Sequence, residues 1–402
     1  SEGSSTLNAL TFYHNNRINY LVSPSTFTIS LNNYSLNVTT INLINDTQKE
    51  LNFTINAIDC GSTVTSNLQI GDNYLCTTAG LHFIGSAFTF YGQSYNLTGE
   101  NNGDGINLTS TSSMEIENLQ VDNFTNGLFL HTTNHSIFRN LTIINNSYGI
   151  VFNRSNNNSI YDSILDNNSN FAVVSENDGA TNNSLVNVSI EPENVSITGD
   201  ASVYLRWYVD VNVTDTSQNA LANATVKAYN SIGDLEDTIL TNSSGLSRLK
   251  ITEYYTYNNV TYYIVPAEIT ASKANYTQNN TSVNLLNLTY AQANLTLTAI
   301  NCGATLTNDF NFGSNYNCNN AFIIGTDGIT INGNGYNLTG DNSGNGINSS
   351  GRVNVSVINL EISNFTQGIY FYNTNNSNLS GVTIINNTDG VIFNNSNNSK
   401  DL

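Results

Sequence analysis

Apolar residues in this chain come in short alternating runs broken by Asn, Ser, Thr and Gly, and no run follows the helical period of about 3.6 residues. Such runs predict β-strands and turns. From Gly105 to Ser175 the pattern repeats every 22 residues. Gly105, Gly127 and Gly149 mark the period, followed by Ile106-Asn107-Leu108, Leu128-Phe129-Leu130 and Ile150-Val151-Phe152, with Ala172-Val173-Val174 one period on. Other columns keep step: Ile116, Phe138 and Ile160; Val121, Ile143 and Leu165; Leu108, Leu130, Phe152 and Val174. A fixed period of this size marks a solenoid, in which each repeat buries its apolar column only against its neighbours. Short strands with Asn- and Gly-rich corners fit a right-handed parallel β-helix. A leucine-rich repeat has a similar period, but its dense Leu template and helical segment are missing.

A longer repeat lies over the first. Asn52-Phe-Thr-Ile-Asn-Ala-Ile-Asp-Cys60 matches Asn294-Leu-Thr-Leu-Thr-Ala-Ile-Asn-Cys302 at an offset of 242, and Thr142-Ile-Ile-Asn-Asn matches Thr383-Ile-Ile-Asn-Asn at 241. The second copy keeps the 22-residue beat at Gly346, Gly368 and Gly390. Between the copies the character changes. Tyr208 to Thr214 alternates cleanly, and the segments from Asn219 and from Thr241 read as further antiparallel strands around turns, which predicts a small sandwich. Residues 1–55 map onto the last half of that sandwich. The predicted fold is therefore all-β: a partial Ig-like β-sandwich over 1–55, a right-handed β-helix with a disulfide cap over 56–187, a whole Ig-like sandwich over 188–297 and a second, truncated β-helix over 298–402. A half sandwich and an unfinished helix imply either a window on a longer tandem protein or strand donation by a neighbouring subunit.

Composition narrows the function. Lys and Arg number 11 against 30 Asp and Glu, for a net charge of −19, yet only 10% of residues are charged. A chain this short of cations is no partner for nucleic acid or anionic lipid. No apolar run reaches the length of a membrane span. Asn fills roughly a fifth of the chain, and more than thirty Asn-X-Ser/Thr sequons favour an exported, N-glycosylated surface protein. The candidates are Asn33, Asn37, Asn96, Asn140, Asn194, Asn212, Asn223, Asn242, Asn259, Asn275, Asn287, Asn294, Asn337 and Asn354. Asn123, Asn145 and Asn167 are sequons one beat apart and stack at about 4.8 Å in a β-helix, too close for three glycans. That column is either a hydrogen-bonded Asn ladder or only partly modified, with Asn145 expected bare. The cysteines form two pairs with a spacing of 16, Cys60 with Cys76 and Cys302 with Cys318, which read as disulfides. Each closed loop, where a sandwich meets a β-helix, is expected to cap the open apolar end.

The central sandwich resembles carboxypeptidase-regulatory-like or Cna-B-like Ig-type domains, although Asn219 and Asn223 stand where that signature has glycine and Ala220 or Ala222 where it has proline. The chain as a whole resembles archaeal cell-surface proteins that string right-handed β-helices of the NosD or CASH type between Ig-like modules. The Cys-Gly starts, the run from Gly333 to Gly340 and the recurring Asn-Leu beats carry that resemblance. It implies an extracellular structural protein that assembles with itself into a filament or surface layer, with an adhesin or glycan-binding stalk as the alternative. A copper role fits poorly with one Met and four His, and no cofactor motif is present.

β-Helices also host carbohydrate lyases and hydrolases, which need clustered acids. The first helix offers Asp104, Asp122, Asp162, Asp166, Asp178, Glu115 and Glu117, with Arg139 and Arg154. The counterparts of Asp104, Asp122, Arg139 and Arg154 in the second copy are Asn345, Ser363, Ser380 and Asn395, so the copies share fold positions and not chemical ones. His131 and His135 lie on a strand-turn and are not expected to share a face. The reading is therefore of a non-enzyme.

Overall fold

The computed structural model describes residues 58–177, 179–286 and 288–397, together with strands Phe12–Asn15, Ile18–Leu21, Ser25–Ile29, Asn37–Ile41 and Lys400–Asp401. It is all-β, with a single 3-10 turn, Pro192–Asn194, among the described residues. Phe12–Asn15 pairs with Ile18–Leu21, and Ser25–Ile29 with Asn37–Ile41, both antiparallel. The completeness of the expected half sandwich lies outside the described residues. Contacts divide the chain into two compact units, Ser1–Trp207 with Thr252–Tyr263, and Tyr208–Ile251 with Ile264–Leu402.

The first unit contains a parallel β-solenoid. Its first sheet stacks Thr63–Val64, Leu81–Phe83, Asp104–Thr109, Asn126–His131, Tyr148–Asn153, Phe171–Glu176 and Val195–Ile197. The long strands Thr89–Thr98, Glu115–Asp122 and Ile137–Ile144 pair in parallel and supply two further faces each. The expected columns are observed: Ile116 pairs Phe138 and Phe138 pairs Ile160, Val121 pairs Ile143 and Ile143 pairs Leu165. One column needs correction. Phe152 pairs Ser175 and not Val174, because the turn through Asn168 holds one residue more than its predecessors. Parallel pairing also runs past residue 187, since Asn183–Val186 pairs with Val203 to Arg206.

The glycine beat has a steric origin. Gly105, Gly127 and Gly149 are not in the left-handed region; a Cβ on each would meet the carbonyl oxygen of the next rung at 2.8, 2.7 and 2.4 Å. The asparagine excess has a conformational one. Three successive coils each turn at four left-handed residues, and the columns run Ser110, Thr132 and Arg154; Ser113, His135 and Asn157; Asn118, Asn140 and Asp162; Asn123, Asn145 and Asn167. Asn is the L-residue that best tolerates this backbone after Gly. Thus many sequons begin at an Asn that the corner itself selects.

The expected amide ladder exists one position over. At Asn123, Asn145 and Asn167 the left-handed turn directs the following residue inward, so the ladder is built by Asn146 and Asn168. Asn146 Oδ1 accepts the Phe124 N–H at 2.9 Å, and its Nδ2 donates to the Val121 and Ile144 carbonyls. Asn168 Oδ1 in turn accepts the Asn146 N–H at 3.1 Å.

The disulfide segment is the first coil and not a lid across it. Thr63–Val64, Leu68–Gln69 and Tyr74–Leu75 each pair in parallel with the coil that follows, and Cys60 is bonded to Cys76. Leu68, Ile70 and Tyr74 point into the core, whereas Leu75 is 71% exposed.

In the second unit, the Tyr208 to Asp215 part of strand Ser202–Asp215 has the alternating burial expected of it. It pairs in parallel with Tyr290–Leu297, a departure from an all-antiparallel reading. A four-stranded antiparallel sheet is ordered Leu235–Leu240, Thr225–Tyr229, Ala267–Ser272, Asn279–Val283. Parallel coils then resume, with Cys302 bonded to Cys318. Ile347 pairs Ile369 and Ile369 pairs Val391, 22 residues apart. Phe310, Phe312, Phe322, Phe365 and Phe371 fill this core.

Candidate functional site

One outward column of the first solenoid gathers most of its chemistry. Strand pairing places Gln69 beside Tyr91, Tyr91 beside Glu117, Glu117 beside Arg139 and Arg139 beside Tyr161, on five successive coils. Side chains at one height of a parallel stack recur about every 4.8 Å. Glu115 sits two residues before Glu117 on the same face. Arg139 Nε lies 3.8 Å from Glu115 Oε1 and 3.7 Å from Glu117 Oε1, and the guanidinium rests 4.4 Å from the centre of the Tyr161 ring. Tyr91 is 42% exposed. It borders a shallow recess with Gln69, Gln93, Ser94 and Asn118. The recess forms where two extra residues enter the strand between Tyr91 and Tyr95.

Partial burial, then the charge of Glu115 and a hydrogen bond shared with it, raise the Glu117 carboxyl above the ordinary glutamate value, while Arg139 pulls the other way. The arrangement suits hydrogen bonding to hydroxyls beside an exposed aromatic ring. The same column in the parallel coils of the second unit reads Asn311, Asn332, Ile358 and Ser380, so the fold does not require these residues.

The other candidate groups are dispersed. Asp122 is buried and takes hydrogen bonds from Thr98, Gln120 and Asn123; Asp104 takes them from Asn107 and Asn126. Asp162 is bonded by Asn187 at a corner, Asp166 is exposed, Arg154 is an exposed corner residue, and Asp178 lies outside the described residues. His131 lies on a strand against Asn153, while His135 sits at an exposed left-handed corner. Among the described residues no group of three or more His, Cys, Asp or Glu could hold a metal ion, and no helix is long and apolar enough to cross a membrane.

The sequons differ in how their amides are used. Asn194, Asn223, Asn242, Asn259, Asn294 and Asn354 are exposed; Asn96, Asn212 and Asn337 are half-buried in strands; Asn33 and Asn287 lie outside the described residues, and Asn37 begins a strand. Asn140 Nδ2 donates to Asn118, and Asn275 Nδ2 to Ser314. The Glu115–Glu117–Arg139 cluster could have been found from sequence by applying the 22-residue beat to polar positions, since 117 and 139 differ by one period.

No protein-family model matches the chain. No curated protein matches it either. Among solved structures, the crystal structure of the Agl-KA catalytic domain is similar at 12% identity and a TM-score of 0.20, covering 85% of this chain. The chain spans 61% of that structure's length. So low a score carries no argument about activity.

Proposed function

We propose that the chain is a structural cell-surface glycoprotein, a subunit of an extracellular filament or surface layer in which two parallel β-helices alternate with Ig-like sandwich modules and copies join head to tail. The observation that carries this reading is what the two solenoids share and what they do not. Both keep the glycine rungs, the disulfide-closed first coil and the inward apolar columns, while Glu115, Glu117 and Arg139 become Ser356, Ile358 and Ser380. A sequence held to its fold and free to change its outward chemistry is that of a scaffold. Two disulfides support an oxidising compartment, and the low charge supports glycans as the solubilising coat. Negative-stain microscopy of native material tests the proposal: a regular polymer or lattice supports it, and monodisperse particles at every concentration overturn it.

The Tyr91–Glu117–Arg139–Tyr161 column favours a second reading, a stalk that binds glycans. Binding of neutral oligosaccharides that disappears in Tyr91→Ala and Glu117→Gln variants would support it over the scaffold.

A further inference from the structure

The hairpin Thr252–Tyr257 and Val260–Tyr263 ends one sheet of the first unit. Its last strand pairs only on one side, with Tyr254 opposite Tyr263 and Tyr257 opposite Val260; among the described residues no strand pairs with its outer edge. Val260, Tyr262 and Tyr263 are 49%, 41% and 49% exposed, and no charged residue occurs between Glu253 and Glu268. Folded proteins protect such edges with charge, proline or bulges, because an uncharged, aromatic and β-branched edge is a template for pairing with another chain. An edge of the second unit, Leu235–Leu240, has such protection in Glu236 and Asp237. Val260–Tyr263 has none beyond its shortness.

It does begin at a sequon. Asn258 and Asn259 form the two-residue turn with φ of 51° and 56°; Asn259 and Val260 are exposed at its tip, and Thr261, which completes the sequon, is half-buried. Asn259 is held by its oxygen: Oδ1 accepts the Ile197 N–H at 2.8 Å. That bond leaves the amide nitrogen, to which an N-glycan is attached, uninvolved. Asn123, Asn140 and Asn275, by contrast, spend the nitrogen on Asp122, Asn118 and Ser314.

We infer that Asn259 carries an N-linked glycan whose task is to screen the edge Val260–Tyr263 against strand pairing with another copy of the chain. This rests on the glycoprotein reading above and adds a site and a purpose to it. The exposed rings of Tyr257, Tyr262 and Tyr263 offer faces on which the first sugars stack, keeping the glycan along the strand and not out in solvent.

Two substitutions at one position test it in the full chain made in a glycosylating host. Thr261→Ser keeps the sequon and Thr261→Ala destroys it; both lower strand propensity, so neither favours pairing by itself. Glycopeptide mass spectrometry and light scattering are the readouts. The expected result is a glycan on Asn259 in wild type and Thr261→Ser, and in Thr261→Ala a concentration-dependent weight-average mass at least twice that of Thr261→Ser. A glycan on Asn212 or Asn223 but not on Asn259 overturns the inference and spares the glycoprotein reading. Glycan-free sequons throughout overturn both. An occupied Asn259 whose loss in Thr261→Ala leaves the mass unchanged overturns the screening role alone.

Discussion

Replacing Gly127 by alanine is the sharpest test of why the sequence beats at 22. The added Cβ would lie 2.4 Å from Ile143 Cγ2, 2.7 Å from the Gly149 carbonyl oxygen and 3.0 Å from Asn146 Nδ2. Two of those neighbours are a backbone oxygen tied into the rung pairing and an amide tied into the buried ladder, so neither has room to withdraw. Overpacking of this kind costs about 1–3 kcal/mol. Gly→Ala also stiffens the unfolded chain, worth about 0.4–1 kcal/mol in the opposite direction. The net expectation is a loss of about 1–2 kcal/mol. Gly390 occupies the same beat in the parallel coils of the second unit, but its Cβ would meet only Ile384 Cγ2, at 3.6 Å, an ordinary contact. Gly390→Ala should therefore be neutral or gain a few tenths of a kcal/mol, roughly. Urea denaturation followed by Trp207, the only tryptophan and buried in the first unit, reads Gly127→Ala; circular dichroism reads Gly390→Ala. A Gly127→Ala protein as stable as wild type would refute the steric account of the beat.

Asn146→Ala should cost about 2–4 kcal/mol, because it orphans the buried Phe124 N–H and the Val121 carbonyl, whereas Asn145→Gly at the adjacent exposed corner should stay within about 0.5 kcal/mol; the same denaturation curves compare them. Reducing Cys60–Cys76 frees a 16-residue closure, for a loss of about 3 kcal/mol, seen as a lower midpoint in reductant. Glu117 is raised in the folded state, so its ionisation opposes folding above that raised value and the opposition vanishes below the ordinary glutamate range. Glu117→Gln should raise the midpoint at neutral pH, with the gain fading as pH falls. Asp210 is the reverse case: hydrogen bonds from Arg248 and Tyr290 hold its carboxyl below the usual aspartate value. Its stabilisation is present at neutral pH and lost as pH falls through that lowered value, so Asp210→Asn should weaken the fold at pH 7 and converge with wild type in acid.

Periodicity made the solenoid legible because a parallel stack forces like residues above like; Ile116, Phe138 and Ile160 could be aligned without knowing any contact. It was less informative at the ends of each run, where coil length drifts. Phe83 pairs Leu108 over 25 residues and Phe152 pairs Ser175 over 23, and nothing local in the sequence marks the inserted residue. The position of the ladder was missed for a related reason. A sequon draws attention to Asn145, but the left-handed backbone there hands the inward position to Asn146, and alternation alone cannot foresee a corner. The acidic cluster was hidden by listing carboxylates along the chain; only pairing across coils brings Arg139 onto Glu117.

One set of corner hydrogen bonds in the solenoid of the first unit shares a direction. Phe124 N–H is received by Asn146, Met114 N–H by Ser136, Thr133 N–H by Ser155, Ser136 N–H by Asn158 and Leu141 N–H by Ser163, each acceptor 22 residues later. Each coil therefore leaves these donors for its successor, while others, such as the Asn134 N–H on the Thr111 carbonyl and the Asn156 N–H on Asn134 Oδ1, are met by the coil before. A chain emerging from its amino end would add coils onto a surface already presenting the groups that the next coil answers, and every addition would remove a set of unmet N–H groups while creating a new one. Peeled from either end, the stack would expose donors as well as acceptors, since Asn146 Nδ2 and Asn158 Nδ2 reach back to the Val121 and Thr133 carbonyls of the coil before.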